Sequence, residues 1–125
     1  MGKALAVEGC TIEDTDGGGT VTIETSPSDK VLAGGSKVYF GTLTISVEGS
    51  SGQGGITDGN GMGVGTLDGT GDMICDGSGN PAVLVDDEAT ITVNGTSTSG
   101  GTTTAVSEDI KVKITDAGQD KVIAL

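Results

Sequence analysis

SKVYFGTLTISVEG, residues 36–49, is the stretch that decides the fold class. It holds the single Tyr and the single Phe, Tyr39 and Phe40, and it is the longest run of strand-forming residues. Val38 and Phe40 share one parity. Leu43, Ile45 and Val47 share the other, and the shift falls at Gly41–Thr42. Alternation at a period of two marks a half-buried strand. A Gly at a phase shift inside such a pattern marks a bulge or a sharp bend. The stretch is expected as one long bent strand, or as two strands meeting at a corner.

The flanking sequence repeats the pattern. Ala4–Val7 is a short first strand, and Asp14–Gly19 is a turn. Thr20–Glu24 alternates, with Val21 and Ile23 on one face. Ser26–Asp29 is a turn, because Pro27 fixes its own φ and Ser and Asp bond to nearby backbone. Lys30–Ala33 returns as a strand. Further on, Ile91 and Val93 alternate with threonines. Ile110, Val112 and Ile114 line one face of a strand whose wet face carries Lys111 and Lys113. Val21, Ile23, Ile45, Val47, Ile91, Val93, Val112 and Ile114 are the expected framework. Residues 49–72 are glycine-dense and expected as a loop partly tied down, or as short, closely approaching strands. A structureless loop of that length is uncommon in a small domain. Thr96–Thr104 reads as a linker or loop. No segment shows a helical period with caps, so residues 1–125 are expected as one all-β domain with little or no helix. Residues 1–19 either pack on that domain or extend from it.

Composition narrows the function. Hydrophobic residues are 34% and aromatics 2%, with no Trp. A core that thin needs continuous backbone pairing or a partner subunit to complete it. The 18 acidic and 6 basic residues give a net charge of −12. There is no basic patch and almost no ring to stack on bases, so nucleic acid is not expected as a partner. An anionic membrane surface would repel the chain, and no apolar run is long enough to span a bilayer. The only apolar run near the N-terminus, Ala4–Val7, is too short for a secretion signal, so synthesis in a cytoplasm with Cys10 and Cys75 reduced is expected.

Two internal repeats stand out. Val21–Ala33, VTIETSPSDKVLA, aligns without a gap on Val112–Ala124, VKITDAGQDKVIA. Both read as strand, turn, returning strand, with Asp-Lys-Val opening the return. Leu43–Gly49, LTISVEG, aligns on Ala89–Gly95, ATITVNG. Such self-similarity indicates a pseudo-symmetric β-structure.

A third pair of segments carries a family resemblance. Gly35–Gly41, GSKVYFG, and Gly77–Ala89, GSGNPAVLVDDEA, each place a Gly-Ser turn (Gly35-Ser36 and Gly77-Ser78) before a Val-containing strand and a second tight turn. This resembles the repeat of PAAR-like proteins, the spike tips of type VI secretion systems, phage tails and related contractile injection machines. The resemblance covers Ser28–Leu125. It implies a small cone of short β-hairpins with pseudo-threefold symmetry, seated on a trimeric spike, one tip per trimer. It also implies a protein made in a bacterial cytoplasm, monomeric when free, and delivered outside the cell on firing. The chain departs from the family in having no Pro-Ala-Ala-Arg tetrapeptide and no His. The family's apical metal site is therefore not carried over, and no cofactor is expected. Cys10 and Cys75 are expected as small buried apolar residues.

The residues that could carry chemistry point the same way. Without His there is no Ser-His or Cys-His dyad. The acidic pairs Glu13/Asp14, Asp86/Asp87 and Glu108/Asp109 are adjacent, and adjacent residues of a strand point to opposite faces. Asp14-Thr15-Asp16-Gly17 and Asp58-Gly59-Asn60-Gly61 echo a calcium loop. However, position five is Gly18 or Met62 and position twelve is Thr25 or Gly69, where the bidentate Glu belongs. Turn chemistry accounts for both. No Gly-Lys-Ser/Thr follows the glycine-dense segment, so it is no phosphate loop. The expected function is that of a non-enzymatic spike tip. The alternative is a virion or assembly decoration protein, expected as a trimer. A sugar-binding module is disfavoured by the shortage of rings. Ile114→Asp is expected to abolish folding, because it buries an unpaired carboxylate. A soluble variant with native circular dichroism would refute the strand over Ile110–Ile114.

Overall fold

The 36–49 stretch breaks where its alternation shifts. Gly41 adopts φ +78°, a left-handed conformation, and separates residues 36–40 from the long strand that follows. The computed structural model describes residues 2–124, so Met1 and Leu125 lie outside the described residues. Among the described residues there is no helix. The strands are β1 (Lys3–Ala4), β2 (Thr11–Asp14), β3 (Thr20–Ile23), β4 (Leu32–Ala33), β5 (Ser36–Lys37), β6 (Thr42–Ser50), β7 (Gly61–Asp68), β8 (Gly71–Cys75), β9 (Pro81–Ala82), β10 (Glu88–Ser99), β11 (Thr102–Asp116) and β12 (Ile123–Ala124). Six of them form one antiparallel sheet in the order β2-β11-β10-β7-β6-β3, nearly closed into a barrel. The rest form three two-stranded ribbons, β1–β12, β4–β5 and β8–β9.

Three short segments join the barrel to the ribbons, and their hydrogen bonds run in a cycle. Tyr39 N donates to Ala6 O at 3.1 Å, Ala6 N to Val83 O at 2.8 Å, and Val83 N to Tyr39 O at 3.0 Å. A second cycle, running in the opposite sense, lies two residues out. Glu8 N donates to Lys37 O at 2.8 Å, Gly41 N to Pro81 O at 2.7 Å, and Val85 N to Ala4 O at 2.9 Å. Residues 4–8, 37–41 and 81–85 are thus equivalent sides of a triangle, each entering from a ribbon and leaving into a barrel strand. The arrangement is pseudo-threefold.

Period-two alternation makes this triangle a floor between two cores. Ala6, Tyr39 and Val83 point into the barrel and join Leu43, Ile45, Val47, Leu67, Ile91, Val93, Ile110, Val112 and Ile114. Leu5, Val7, Val38, Ala82 and Leu84 point the other way, into a smaller core shared with Ala33 and Ala124 and flanked by Phe40. The shared parity of Val38 and Phe40 thus reflects a second core. The framework residues sit on the barrel strands. Ile45, Val47, Ile91, Val93, Val112 and Ile114 are buried, and Val21 and Ile23 on edge strand β3 are half-buried.

Two expectations need correction, and two open choices resolve. Residues 49–72 are not simply a loop, because β7 occupies Gly61–Asp68 in the interior of the sheet. Its inward positions include Gly61, Gly63 and Gly65. A Cβ at Gly61 would lie 2.6 Å from Ser50 O, one at Gly65 2.9 Å from Ile91 Cγ1, and one at Gly63 would collide with the carbonyl of Thr92. β7 and β10 share a single pair, Asn94↔Met62, so the sheet turns a corner there and the glycines admit the close approach. Thr96–Thr104 is not a linker. It is the end of the β10–β11 hairpin, turned by Gly100 and Gly101, both at positive φ. Residues 2–19 do not extend away: β1 pairs with β12, β2 pairs with β11, and Leu5, Ala6 and Val7 are buried. Finally, the repeated segments 21–33 and 112–124 are not hairpins. Each runs from a barrel strand (β3 or β11) to a ribbon strand (β4 or β12) that pairs elsewhere. The alignment is nevertheless structural, since Ala33 and Ala124 are matching positions and both are buried in the smaller core.

Gly63→Ala is expected to destabilise the protein by about 2–3 kcal/mol, as overpacking of a rigid site does. Gly77→Ala, where a Cβ would meet nothing within 4 Å, is expected to be neutral. Urea midpoints of the two variants provide the check. Equal midpoints would contradict the close approach of β7 and β10.

Candidate docking face

The carboxylates are engaged in holding turns. Asp14, buried at the end of β2, accepts from Asp16 N at 3.0 Å, Gly17 N at 2.6 Å, Gly19 N at 3.0 Å and Ser50 Oγ at 2.7 Å. Ser50 Oγ in turn accepts from Gly52 N at 3.0 Å. This network fastens the β2–β3 turn to the end of β6, across the one seam of the barrel that has no strand pairing. Burial alone would raise the Asp14 pKa. The four donors outweigh it and hold the carboxyl below its ordinary value. At the other end, Asp87 accepts from Leu84 N at 2.8 Å, Thr70 N at 3.2 Å and the Thr70 hydroxyl. Glu108 Oε2 accepts from Gln53 N at 3.1 Å and Gly55 N at 3.0 Å. Asp76 caps the β8–β9 turn by accepting from Ser78 N at 2.9 Å and Asn80 N at 3.0 Å.

In each acidic pair one member faces inward and the other outward: Asp14, Asp87 and Glu108 are the more enclosed, and Glu13, Asp86 and Asp109 are exposed. Both calcium-like stretches hold turn acids, and Asp58 accepts from the hydroxyls of Thr96 at 2.6 Å and Thr98 at 2.8 Å. Among the described residues no three His, Cys, Asp or Glu side chains converge as metal ligands would. Cys10 packs against the barrel core, and burial pushes its thiol up to about 11. Cys75, expected to be buried, is exposed on β8, because its parity turns it away from the smaller core that Ile74 packs against.

The ribbon end is where surface chemistry concentrates. Gly35-Ser36 and Gly77-Ser78 lie in the turn regions of ribbons β4–β5 and β8–β9, as the sequence pattern places them. The turns differ in build: Gly34 and Gly35 both take positive φ, whereas the second turn is held by Asp76. Ribbon pairing sets Leu32 opposite Lys37, Ile123 opposite Ala4 and Cys75 opposite Pro81. Lys37, Ala4 and Pro81 are equivalent in the triangle, so Leu32, Ile123 and Cys75 are equivalent too. All three are exposed, Leu32 at 59% and Ile123 at 49%, and Met73 beside them reaches 81%. Val31 and Val122 precede the first two, whereas the β8–β9 ribbon shifts register between Gly71 and Cys75, so that Gly71 lies opposite Ala82 and Met73 and Ile74 fall in the bulge. Four of the six lysines, Lys3, Lys30, Lys37 and Lys121, flank these residues in sequence or across a ribbon. A hollow of about 290 Å³ opens between ribbons β1–β12 and β8–β9, lined by Lys3, Thr70, Met73, Leu84 and Ala124 among others.

The sequence pattern did not single out Leu32, Ile123 or Met73, and it placed Cys75 in the interior. The alignment of KVLA on KVIA was the available signal, since it puts Leu32 and Ile123 at matching positions. Comparison with family models, with curated proteins and with solved structures gives no match.

Asp14→Asn is expected to cost about 2 kcal/mol at neutral pH, because a charge-assisted acceptor is lost while the buried Ser50 hydroxyl and three part-buried backbone donors remain. The folded pKa lies below the unfolded value, so this stability is present above about pH 4 and fades as pH falls through the folded pKa. Urea midpoints at pH 7 and pH 3 test it. The gap between wild type and Asp14→Asn should narrow in acid, and a gap independent of pH would contradict the network.

Proposed function

We propose that the chain is a non-enzymatic structural protein of the spike-tip kind, docking by its ribbon end onto a trimeric β-helical spike. One observation carries this reading. A single chain presents three equivalent exposed positions, Leu32, Cys75 and Ile123, around a closed pseudo-threefold triangle. A monomer with threefold repetition matches a threefold partner, because each third meets the same surface of each subunit. The composition of the end also supports docking. Exposed Leu32, Met73, Val122 and Ile123 form the apolar part and lysines flank it, as in an interface with an apolar centre and a polar rim. Mechanically, the load passes from the spike through the ribbons and floor into the barrel, all of them joined by continuous backbone hydrogen bonds. The fastened turns at the far pole favour the same use, since carboxylates hold glycine-rich loops that would otherwise fray.

A decoration protein on a virion is the second reading. The β10–β11 hairpin favours it, because it projects at the pole opposite the ribbons and is open along one edge.

Leu32→Asp combined with Ile123→Asp is expected to leave folding intact, since both side chains already face solvent, and to abolish co-elution with a trimeric β-helical spike in gel filtration. Wild-type protein should co-elute at one chain per trimer. A wild-type chain that elutes as its own stable trimer would overturn the tip reading in favour of decoration.

A further inference from the structure

The β10–β11 hairpin carries a second surface. β11 pairs with β10 along Thr102–Lys113, but with β2 only along Val112–Asp116. Loop groups occupy its other edge as far as Asp109. Thr15 N donates to Lys111 O at 3.0 Å, Lys111 N donates to Asp16 Oδ2 at 2.9 Å, and Gln53 Nε2 donates to Asp109 O at 2.8 Å. These bonds fix the outward parity as odd. By the period of two, the N–H and C=O of Thr103, Ala105 and Ser107 also point away from β10, and among the described residues nothing meets them. The β10 edge of the same hairpin is covered, since Asp58 N donates to Thr96 O at 3.1 Å and the Asp58 carboxylate holds Thr96 and Thr98.

Natural proteins protect exposed edges with Lys, Pro, bulges or short strands. Thr102–Ser107 has no Lys, no Pro and no register shift. It also lies in Ala89–Ser107, the longest stretch without a charged residue in a chain of net charge −12. Thr102, Thr103, Thr104 and Ala105 are exposed, so neither face of the hairpin end is packed. A two-stranded ribbon in that state is marginal in water, yet its threonines keep strand propensity high.

We propose that this edge pairs with the same edge of a second copy of the chain, β11 against β11 and antiparallel, making a four-stranded arm across a twofold axis. Pairing centred on Ala105 sets Thr103 opposite Ser107, Glu108 opposite Thr102, and Asp109 opposite Gly101. No carboxylate faces another. A second copy fits because the edge is self-complementary and lies in the one long stretch where two bodies of charge −12 approach without facing charges. The repulsion that remains comes from the rest of each molecule, so salt strengthens the association. The ribbon end stays free, so this pairing stands independently of the docking reading.

Sedimentation equilibrium of the full chain, up to about 1 mM and at low and high salt, tests the pairing. A reversible dimer is expected, with a dissociation constant that falls severalfold when salt is raised. Ala105→Pro removes an outward N–H that has no ladder partner, so it is expected to stay folded and become monomeric. Ala105→Lys, which sets two cations face to face, is expected to do the same and serves if the proline variant unfolds. A chain monomeric at about 1 mM in high salt would overturn the proposal. So would an association that survives both Ala105 variants, or one lost in Leu32→Asp, which would place it at the ribbon end.

Discussion

The structure depends on a cycle of backbone hydrogen bonds. Ala6, Tyr39 and Val83 each donate to the next, and the six bonds of the inner and outer cycles tie together segments far apart in the chain. Each bond contributes only about 1 kcal/mol net, but a buried group left unpaired costs about 1–3 kcal/mol. No side of the triangle can leave without orphaning donors or acceptors on both others. Removing one side also opens two cores at once, because successive residues of each side face opposite ways. With 2% aromatic residues, the barrel core is built almost wholly of aliphatic side chains. It shares the hydrogen-bonded floor with the smaller core, so the two are coupled through the same backbone bonds.

Close approach and fastening follow from the same scarcity of volume. Glycines on the inner face of β7 bring the β10 backbone into the space a side chain would fill. The acidic residues substitute for packing in the turns. Asp14, Asp87 and Glu108 each hold backbone N–H groups, so part of the net negative charge is structural. That leaves function to surfaces, one apolar and threefold at the ribbons, the other polar and open-edged on β11.

Much of the fold was legible. Period-two alternation gave β3, β6 and the barrel halves of β10 and β11 but not the short β2, and the break at Gly41 fell where the pattern shifts. β7 was left undecided between loop and strand because three of its inward positions, Gly61, Gly63 and Gly65, carry no hydrophobic signal, while Met62 and Val64 face outward. The hairpin end was hidden because threonine and serine on both faces erase the alternation. The 21–33 and 112–124 repeat was visible, yet pairing is decided by tertiary context, so adjacent strands looked like hairpins when they belong to different layers. The docking positions were half visible. Leu32 and Ile123 match in the repeat, but Cys75 becomes their equivalent only through the triangle, which no local pattern encodes.

Native-state hydrogen exchange at Ala6, Tyr39 and Val83 tests the cycle most directly. If the three sides stand or fall together, all three amides exchange only through global unfolding, with one common free energy and one common denaturant dependence. An Ala6 amide that exchanges through a local opening, while Tyr39 and Val83 remain protected, would show that the N-terminal side is an attachment to a fold that stands without it.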